Sequence, residues 1–302
     1  MTKLESNRWL VAVERGQQFL SATQAADGGW PYRPGATPSL EPACYALAAM
    51  DGQANAPQRD AGLRCLLARQ TTEGAFTLLG DDEPHWATSL AVLALAQLGA
   101  AEPQRAAAAR WLLTWAGRTR PQQAALTLDG QLLGWPWTDN AFSWVEPTSY
   151  ALLALKRCGQ RDHPRVAEGE KMLLDRQCAD GGWNYGNPAV FGTALSGFIP
   201  TTALATLALQ GSSLAGDAAR RGLDFLQREI QKHRSALTLS LTILCLAAFG
   251  RPVAEPAATL AQRQQPDGSW RQDVRLTALA ILALQAADGG PNLFKLDDAP
   301  PR

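Results

Sequence analysis

The chain has 302 residues, 46% hydrophobic and 19% charged, with 28 basic residues against 28 acidic ones. That length permits one large domain or two small ones, and the balanced charge removes the broad basic footprint of a nucleic-acid binder. The five cysteines (Cys44, Cys65, Cys158, Cys178, Cys245) are scattered and form no C-x-x-C pair, so neither a disulfide frame nor a zinc finger is indicated.

The opening residues MTKLESNRWL lack the apolar stretch of a signal peptide. No uncharged apolar run reaches the about 18 residues of a membrane span, so a soluble cytoplasmic protein without a transmembrane segment is expected. The first unit (8–52) then pairs ERGQQFLSATQ with the apolar EPACYALAAM, joined through QAADGGW at 24–30. The second (58–99) pairs AGLRCLLARQ with ATSLAVLAL through QTTEGAF at 70–76. The third (103–159) carries a long insertion from Arg118 to about Val145 before its apolar PTSYALLAL. The fourth (165–211) runs AEGEKMLLDRQ, QCADGGW at 177–183, a Gly-rich aromatic loop to 198, and TTALATLAL. The fifth (215–250) lacks the glutamine turn and keeps a weaker apolar copy, TLSLTILCL. The sixth (253–287) pairs PAATLAQRQQ with LTALAILAL through QQPDGSW at 264–270, and residues 288–302 form a tail.

A fixed period of about 43–54 residues is the signature of a repeat architecture. Each first helix is amphipathic and ends at its glutamine, where Gly in the left-handed region stops it. Each second helix is apolar nearly all round, as a buried helix is. Open solenoids keep polar capping ends, but LTALAILAL in the last unit is as apolar as the middle copies. The expectation is therefore all-α: one domain over 1–302, a closed (α/α)6 toroid of six helical hairpins with outer helices around inner ones. The turn glutamine is read as hydrogen-bonding a free helix end of its neighbour, and the turn aromatic as stacking on it.

All six turns join an outer to an inner helix, so the inner-helix N-termini face one rim, mildly attractive to anions. Counting back two from the register threonines Thr88, Thr148, Thr202 and Thr277 selects Trp86, Glu146, Pro200 and Arg275. The weaker copies add Glu41 and Ala236. These six form one expected layer at a cavity mouth. Glu41 and Glu146 each precede proline, which suits helix capping. The alternative reading is a carboxylic acid beside an apolar cavity, its pKa raised by desolvation and able to donate a proton. Closure would bring Arg271 and Arg275 near Arg33, facing Asp81, Asp82, Glu83, Asp139 and Glu146 across a polarised rim suited to an anionic head and an apolar tail.

Trp135, Trp137, Phe142 and Trp144 in the insertion read either as a lid or cavity wall or as packing that seats the insertion on the ring. Aromatic faces there would stabilise cations. Tyr45, Tyr150, Trp183 and Phe198 complete the candidate aromatic lining. Only three histidines exist, and DDEPH lacks the ligands a tetrahedral zinc site wants. No P-loop, dinucleotide fingerprint, G-x-S-x-G or H-E-x-x-H occurs.

RGQQFLSATQAADGGW, with inner helices such as PTSYALLAL, closely resembles the QW motif of the terpene cyclase and prenyltransferase superfamily of α/α toroids, over about residues 8 to 287. That group includes squalene and oxidosqualene cyclases, class II diterpene cyclases and protein prenyltransferase β subunits. The resemblance implies a hydrophobic isoprenoid substrate and protonation-initiated cyclisation or a related carbocation step. Class II cyclases carry Asp-x-Asp-Asp-Thr-Ala, whose middle aspartate is the acid. The nearest line here is DVRLTA, where Asp273 matches the first aspartate and Arg275 replaces the acid. Glu146 in WVEPTS and Glu41 in LEPACY take the middle-acid register, so Glu146, then Glu41, are the expected proton donors. The prenyltransferase zinc set has no match. No cofactor is called for, Mg²⁺ is admissible, and zinc is disfavoured. Peripheral membrane contact, a protein partner and a homo-oligomer stay open, as does a non-catalytic toroid that binds an isoprenoid or a partner after losing the acids. The thioester motif of complement-type rings is absent, and the repeats argue against a glycosidase, although Glu146 with Asp82 or Asp139 mimics a carboxylate pair.

Overall fold

The computed structural model describes residues 8–50, 55–77, 85–121 and 127–296. It contains the twelve helices α1 (Leu10–Thr23), α2 (Leu40–Ala49), α3 (Ala56–Leu67), α4 (Ala87–Gln97), α5 (Glu102–Thr114), α6 (Val145–Arg157), α7 (Pro164–Asp175), α8 (Ile199–Ala208), α9 (Gly216–Glu229), α10 (Ala236–Ala248), α11 (Ala254–Ala261) and α12 (Val274–Ala287). The even-numbered helices are buried on every side, as their unbroken apolar runs require. Each packs on the next in chain order, and α12 packs on both α10 and α2. The odd-numbered helices lie against them, α5 on α4 and α6, α11 on α10 and α12, and α1 on α12.

The glutamine turns explain the pairing. Gln24 Nε2 donates to Gly28 O in its own turn (2.8 Å) and to Gln58 O in α3 (2.8 Å). Gln70 repeats this toward Gln104 in α5, Gln177 toward Ala218 in α9, and Gln264 toward Ala12 in α1. The partners are carbonyls of first-turn residues in the neighbouring outer helix, or one of its first residues in α1. The expected free helix end is therefore not the acceptor: first-turn carbonyls already accept within the helix, and the glutamine uses their second lone pair. In three turns the aspartate closes an Asx turn, as Asp27 Oδ1 does on Gly29 N at 2.9 Å. Gly28 has φ +88°, and a Cβ there would lie 2.5 Å from Ala61 O of α3, so both backbone and space demand glycine.

The turn aromatics are staples too. Trp30 Nε1 donates to Leu20 O (2.8 Å), and its ring fills the space above Gly62, where a Cβ would come within 2.4 Å. Trp135, Trp183 and Trp270 donate likewise to Leu112, Leu173 and Leu260, against Gly169, Gly222 and Gly16. Trp270 of the sixth unit thus seats on α1 of the first. The register threonines bind the backbone of the same aromatics: Thr277 Oγ1 accepts from Trp270 N at 3.0 Å, and Thr88, Thr148 and Thr202 do the same for Phe76, Trp135 and Trp183. Replacing Gln264 by alanine removes one hydrogen bond across this seam, to Ala12 O, and one within its own turn, to Gly268 O, and is expected to cost about 1–3 kcal/mol, read as a lower midpoint in denaturant unfolding.

Three features fall outside the helical repeat. A two-stranded hairpin, Ala189–Val190 with Thr193–Ala194, interrupts the loop before α8. Its turn residues Phe191 and Gly192 both have positive φ (50° and 75°), the backbone a two-residue hairpin needs. The described parts of the insertion, 118–121 and 127–144, run without a named helix, and Arg118 pairs with Phe142. The segment after α12 folds back: Asn292 Nδ2 donates to Leu244 O (2.9 Å), Gln210 Nε2 to Phe294 O (2.8 Å), and Phe294 is fully buried. Beside it, Lys156 Nζ bonds Glu170 Oε1 (2.6 Å) and Ala208 O (2.6 Å). Lys156→Met would strand a buried carboxylate, an expected loss of about 3–5 kcal/mol, measurable by thermal unfolding.

Candidate functional site

A cavity of about 280 Å³ opens among the buried helices, lined by Glu41, Tyr45, Trp86, Trp137, Glu146, Tyr150, Pro200, Leu204, Leu237, Leu241, Arg275 and Leu279. That volume sits near the lower end of small-molecule sites, about 300–1,000 Å³. The lining is two helical layers. Glu41, Glu146, Pro200, Leu237 and Arg275 form the first, with Trp86 beside them. Tyr45, Tyr150, Leu204, Leu241 and Leu279 follow each of the first five by four residues, one turn or about 6 Å along the helix. In α10 the wall residue is Leu237 rather than Ala236: like Glu146, Pro200 and Arg275 it is the second residue of its helix, and Leu239 stands where the other copies have their threonine, so counting back from Thr238 falls one residue short.

Charge is unevenly spent in this cavity. Glu41 is buried; its Oε1 accepts from Arg275 Nη1 at 3.2 Å, and its Oε2 accepts from Tyr32 Oη. Burial works against the Arg275 charge, but the attraction and hydrogen bond of Glu41 outweigh it and hold the guanidinium pKa above its usual value. Burial, followed by the Glu41 charge and hydrogen bond, pushes the Tyr32 hydroxyl up. Among the described residues no cation is bonded to Glu146. It accepts one hydrogen bond, from Thr201 Oγ1 at 3.1 Å. Desolvation raises its pKa, Thr201 pulls it down, the Glu41 charge adds to the rise and the Arg275 charge opposes it, with the rise prevailing. Among the described residues the carboxylates bond to Tyr32 and Arg275 (Glu41) and to Thr201 (Glu146) and to no N–H of their own helices, so the capping reading of the two Glu-Pro pairs is not what the structure shows.

Aromatic faces bound the same space. Trp86 meets Trp137 edge-on (centroids 5.0 Å, 85°) and tilts over Tyr150 at 5.3 Å. Tyr45 Oη and Tyr150 Oη are hydrogen-bonded at 2.9 Å.

Other candidate residues lie elsewhere. Trp135 and Trp183 are corrected from cavity wall to staple: both rings are fully buried against the next outer helix, on Gly169 and Gly222. Asp273 caps α12, accepting from Leu276 N at 2.9 Å. Trp144 borders a separate small cleft with Arg118, Arg120 and Arg176. Phe198 is exposed and packs on Tyr185 at 5.2 Å. Arg33 is exposed and donates to Arg271 O (2.9 Å), while Arg275 turns inward to Glu41, so the two do not build one cationic side of a rim. Asp139 is exposed and accepts from Trp115 Nε1. Asp82, with Asp81 and Glu83, lies outside the described residues. Sequence reasoning did not single out Tyr32, Thr201 or Phe294. Tyr32 sits in WPYRP, where no period marks it, and Phe294 lies beyond the repeats. Among the described residues, no group of three or more His, Cys, Asp or Glu gathers as a metal site, and no helix is long and apolar enough to cross a membrane.

No protein-family model matches the chain, and no curated protein does. Solved structures do. The type II terpene cyclase MstE from Scytonema, in a variant bound to its substrate geranylgeranyl dihydroxybenzoate, is 14% identical with a TM-score of 0.65, over 95% of this chain and 99% of that one. A protein from Actinoplanes is 18% identical with a TM-score of 0.64, over 92% and 99%. An α-amylase from Clostridium perfringens is 11% identical with a TM-score of 0.63, over 91% and 97%. The chain therefore has the mostly helical, toroid-like fold of this group. At these identities the likeness concerns the fold, and the range of activities on it makes the site the place to argue function.

Proposed function

We propose that the six helix pairs close into an α/α toroid whose central cavity binds an isoprenoid, and that Glu146 donates the proton that starts cyclisation or a related carbocation step. Closure is supported by the packing of α12 on α2 and by Gln264 and Trp270 reaching α1. The observation that carries the chemistry is the contrast between two carboxylates in one layer. Glu41 is tied to Arg275 and Tyr32; Glu146 is desolvated, with a raised pKa and, among the described residues, only a neutral hydroxyl bonded to it. A carboxylic acid whose proton is held more firmly than usual beside apolar walls suits alkene protonation. Trp86, Trp137 and Tyr150 line the same space, and an aromatic face turned toward a cation formed there would stabilise it. That MstE, on the same fold, takes a geranylgeranyl substrate agrees with this reading.

The second reading, an isoprenoid-binding toroid without turnover, draws on Arg275, which neutralises Glu41 where a further acid would serve. The test is incubation with squalene, geranylgeranyl diphosphate and farnesyl diphosphate, with and without Mg²⁺, followed by analysis of hydrocarbon products. Product formed by the wild type and lost in Glu146→Gln supports catalysis; tight binding with no product from any substrate supports the second reading. The five unpaired thiols suit a reducing compartment, in keeping with work in the cytoplasm.

A further inference from the structure

The second layer of the cavity ends on two phenols. Tyr45 and Tyr150 are 1% and 6% exposed, and both line the cavity one turn beyond Glu41 and Glu146. Behind them stands Phe294, fully buried, with ring centroids 6.5 Å from Tyr45 and 6.2 Å from Tyr150. Gln210 and Asn292 hold its segment across the C-terminal ends of α8 and α10. The tyrosines therefore cannot sink away from the cavity, and they form its blind end.

A tyrosine hydroxyl owns one hydrogen. Tyr45 Oη and Tyr150 Oη bond only each other among the described residues, at 2.9 Å. Whichever donates, the hydrogen of the other is left over, in a pocket whose remaining second-layer walls are Leu204, Leu241 and Leu279. A donor set in a largely apolar pocket favours a ligand that brings an acceptor to it over one that does not.

We propose that the cavity's ligand is oxygenated at its leading end: an apolar chain carrying a hydrogen-bond-accepting oxygen, such as a carbonyl, ether, epoxide or alcohol, that docks on the Tyr45–Tyr150 pair. This deepens the isoprenoid reading, naming the substrate class as an oxygenated isoprenoid. The pair arrangement makes an uncommon demand. Removing either hydroxyl alone leaves the survivor with its hydrogen free, so Tyr45→Phe and Tyr150→Phe singly retain the recognition. Removing both abolishes it.

The test uses decane and decan-2-one, a matched pair in which the oxygen accepts and cannot donate, titrated against the intact protein by calorimetry or tryptophan quenching. Circular dichroism melts check that each variant is folded. In the double variant Tyr45→Phe/Tyr150→Phe, ketone affinity is expected to fall about three- to tenfold, with alkane affinity within twofold of wild type and both single variants close to wild type. An equal fall for both probes, or no change in ketone affinity, overturns the proposal, since the pair would then be packing alone. Failure of the wild type to bind either probe overturns it together with the apolar-cavity reading. If the ketone preference follows the tyrosines but no isoprenoid is bound or turned over, the docking pair stands and the isoprenoid assignment falls.

Discussion

Glu146→Gln is expected to lower turnover of whichever isoprenoid the cavity accepts by about 10²–10⁴-fold, the usual contribution of a positioned general acid. The amide keeps an oxygen for the Thr201 hydroxyl, which bonds Oε1 at 3.1 Å, so the side chain stays in place and only the transferable proton is lost. Substrate affinity should therefore change little while kcat falls. The pH profile carries an independent sign. Desolvation raises the Glu146 pKa, so the acid stays protonated to a higher pH than an ordinary carboxyl, and activity falls as pH rises through that raised value. Stability follows the same direction. Between the unfolded carboxyl value and the raised folded one, the native state binds more protons than the unfolded state. Stability thus declines as pH climbs through that window, and the decline is smaller in Glu146→Gln. Activity that persists in the glutamine variant would remove Glu146 as the acid.

Trp270→Ala should destabilise the fold by about 3–5 kcal/mol, the range for losing a buried large aromatic. Three attachments go together. The ring is 1% exposed and covers Gly16 of α1, its indole N–H donates to Leu260 O at 2.9 Å, and it sits where the last unit meets the first. The control is Tyr185→Ala. Tyr185 is 52% exposed, and its loss should stay within about 0.5 kcal/mol. Urea unfolding of the two variants separates a seam from an ornament: a small effect at Trp270 would mean that the first and last units are held together by other contacts.

Much of the architecture was legible because its causes are local. The acid-Gly turn announces a helix stop through Asx closure and a positive φ, and an apolar run without a polar face announces a buried helix. The threonine register was visible as spacing, although its cause, a hydroxyl bonded to the backbone of the preceding aromatic, was not. Counting two residues back from those threonines led to Trp86, Glu146, Pro200 and Arg275, which the structure brings around one cavity together with Glu41. The same counting misplaced unit 5 by one residue. Trp135 illustrates the limit. Its neighbours Trp137 and Trp144 made it look like part of a lid, whereas it is the staple of the third unit, displaced along the chain by the insertion.

Helices, their stops, and the choice of which helices go inside follow from propensity, turn chemistry and hydrophobic period, all of which act over a few residues and are written in the chain. The partnership of Glu41 with Arg275, 234 positions apart, and the lack of a bonded cation at Glu146 among the described residues depend on how the helices meet. So does the arrival of Phe294 behind two tyrosines from distant units. Desolvation and ion pairing are properties of a place in space, and no spacing along the backbone encodes them; that is why one glutamate became a clamp and the other a candidate acid.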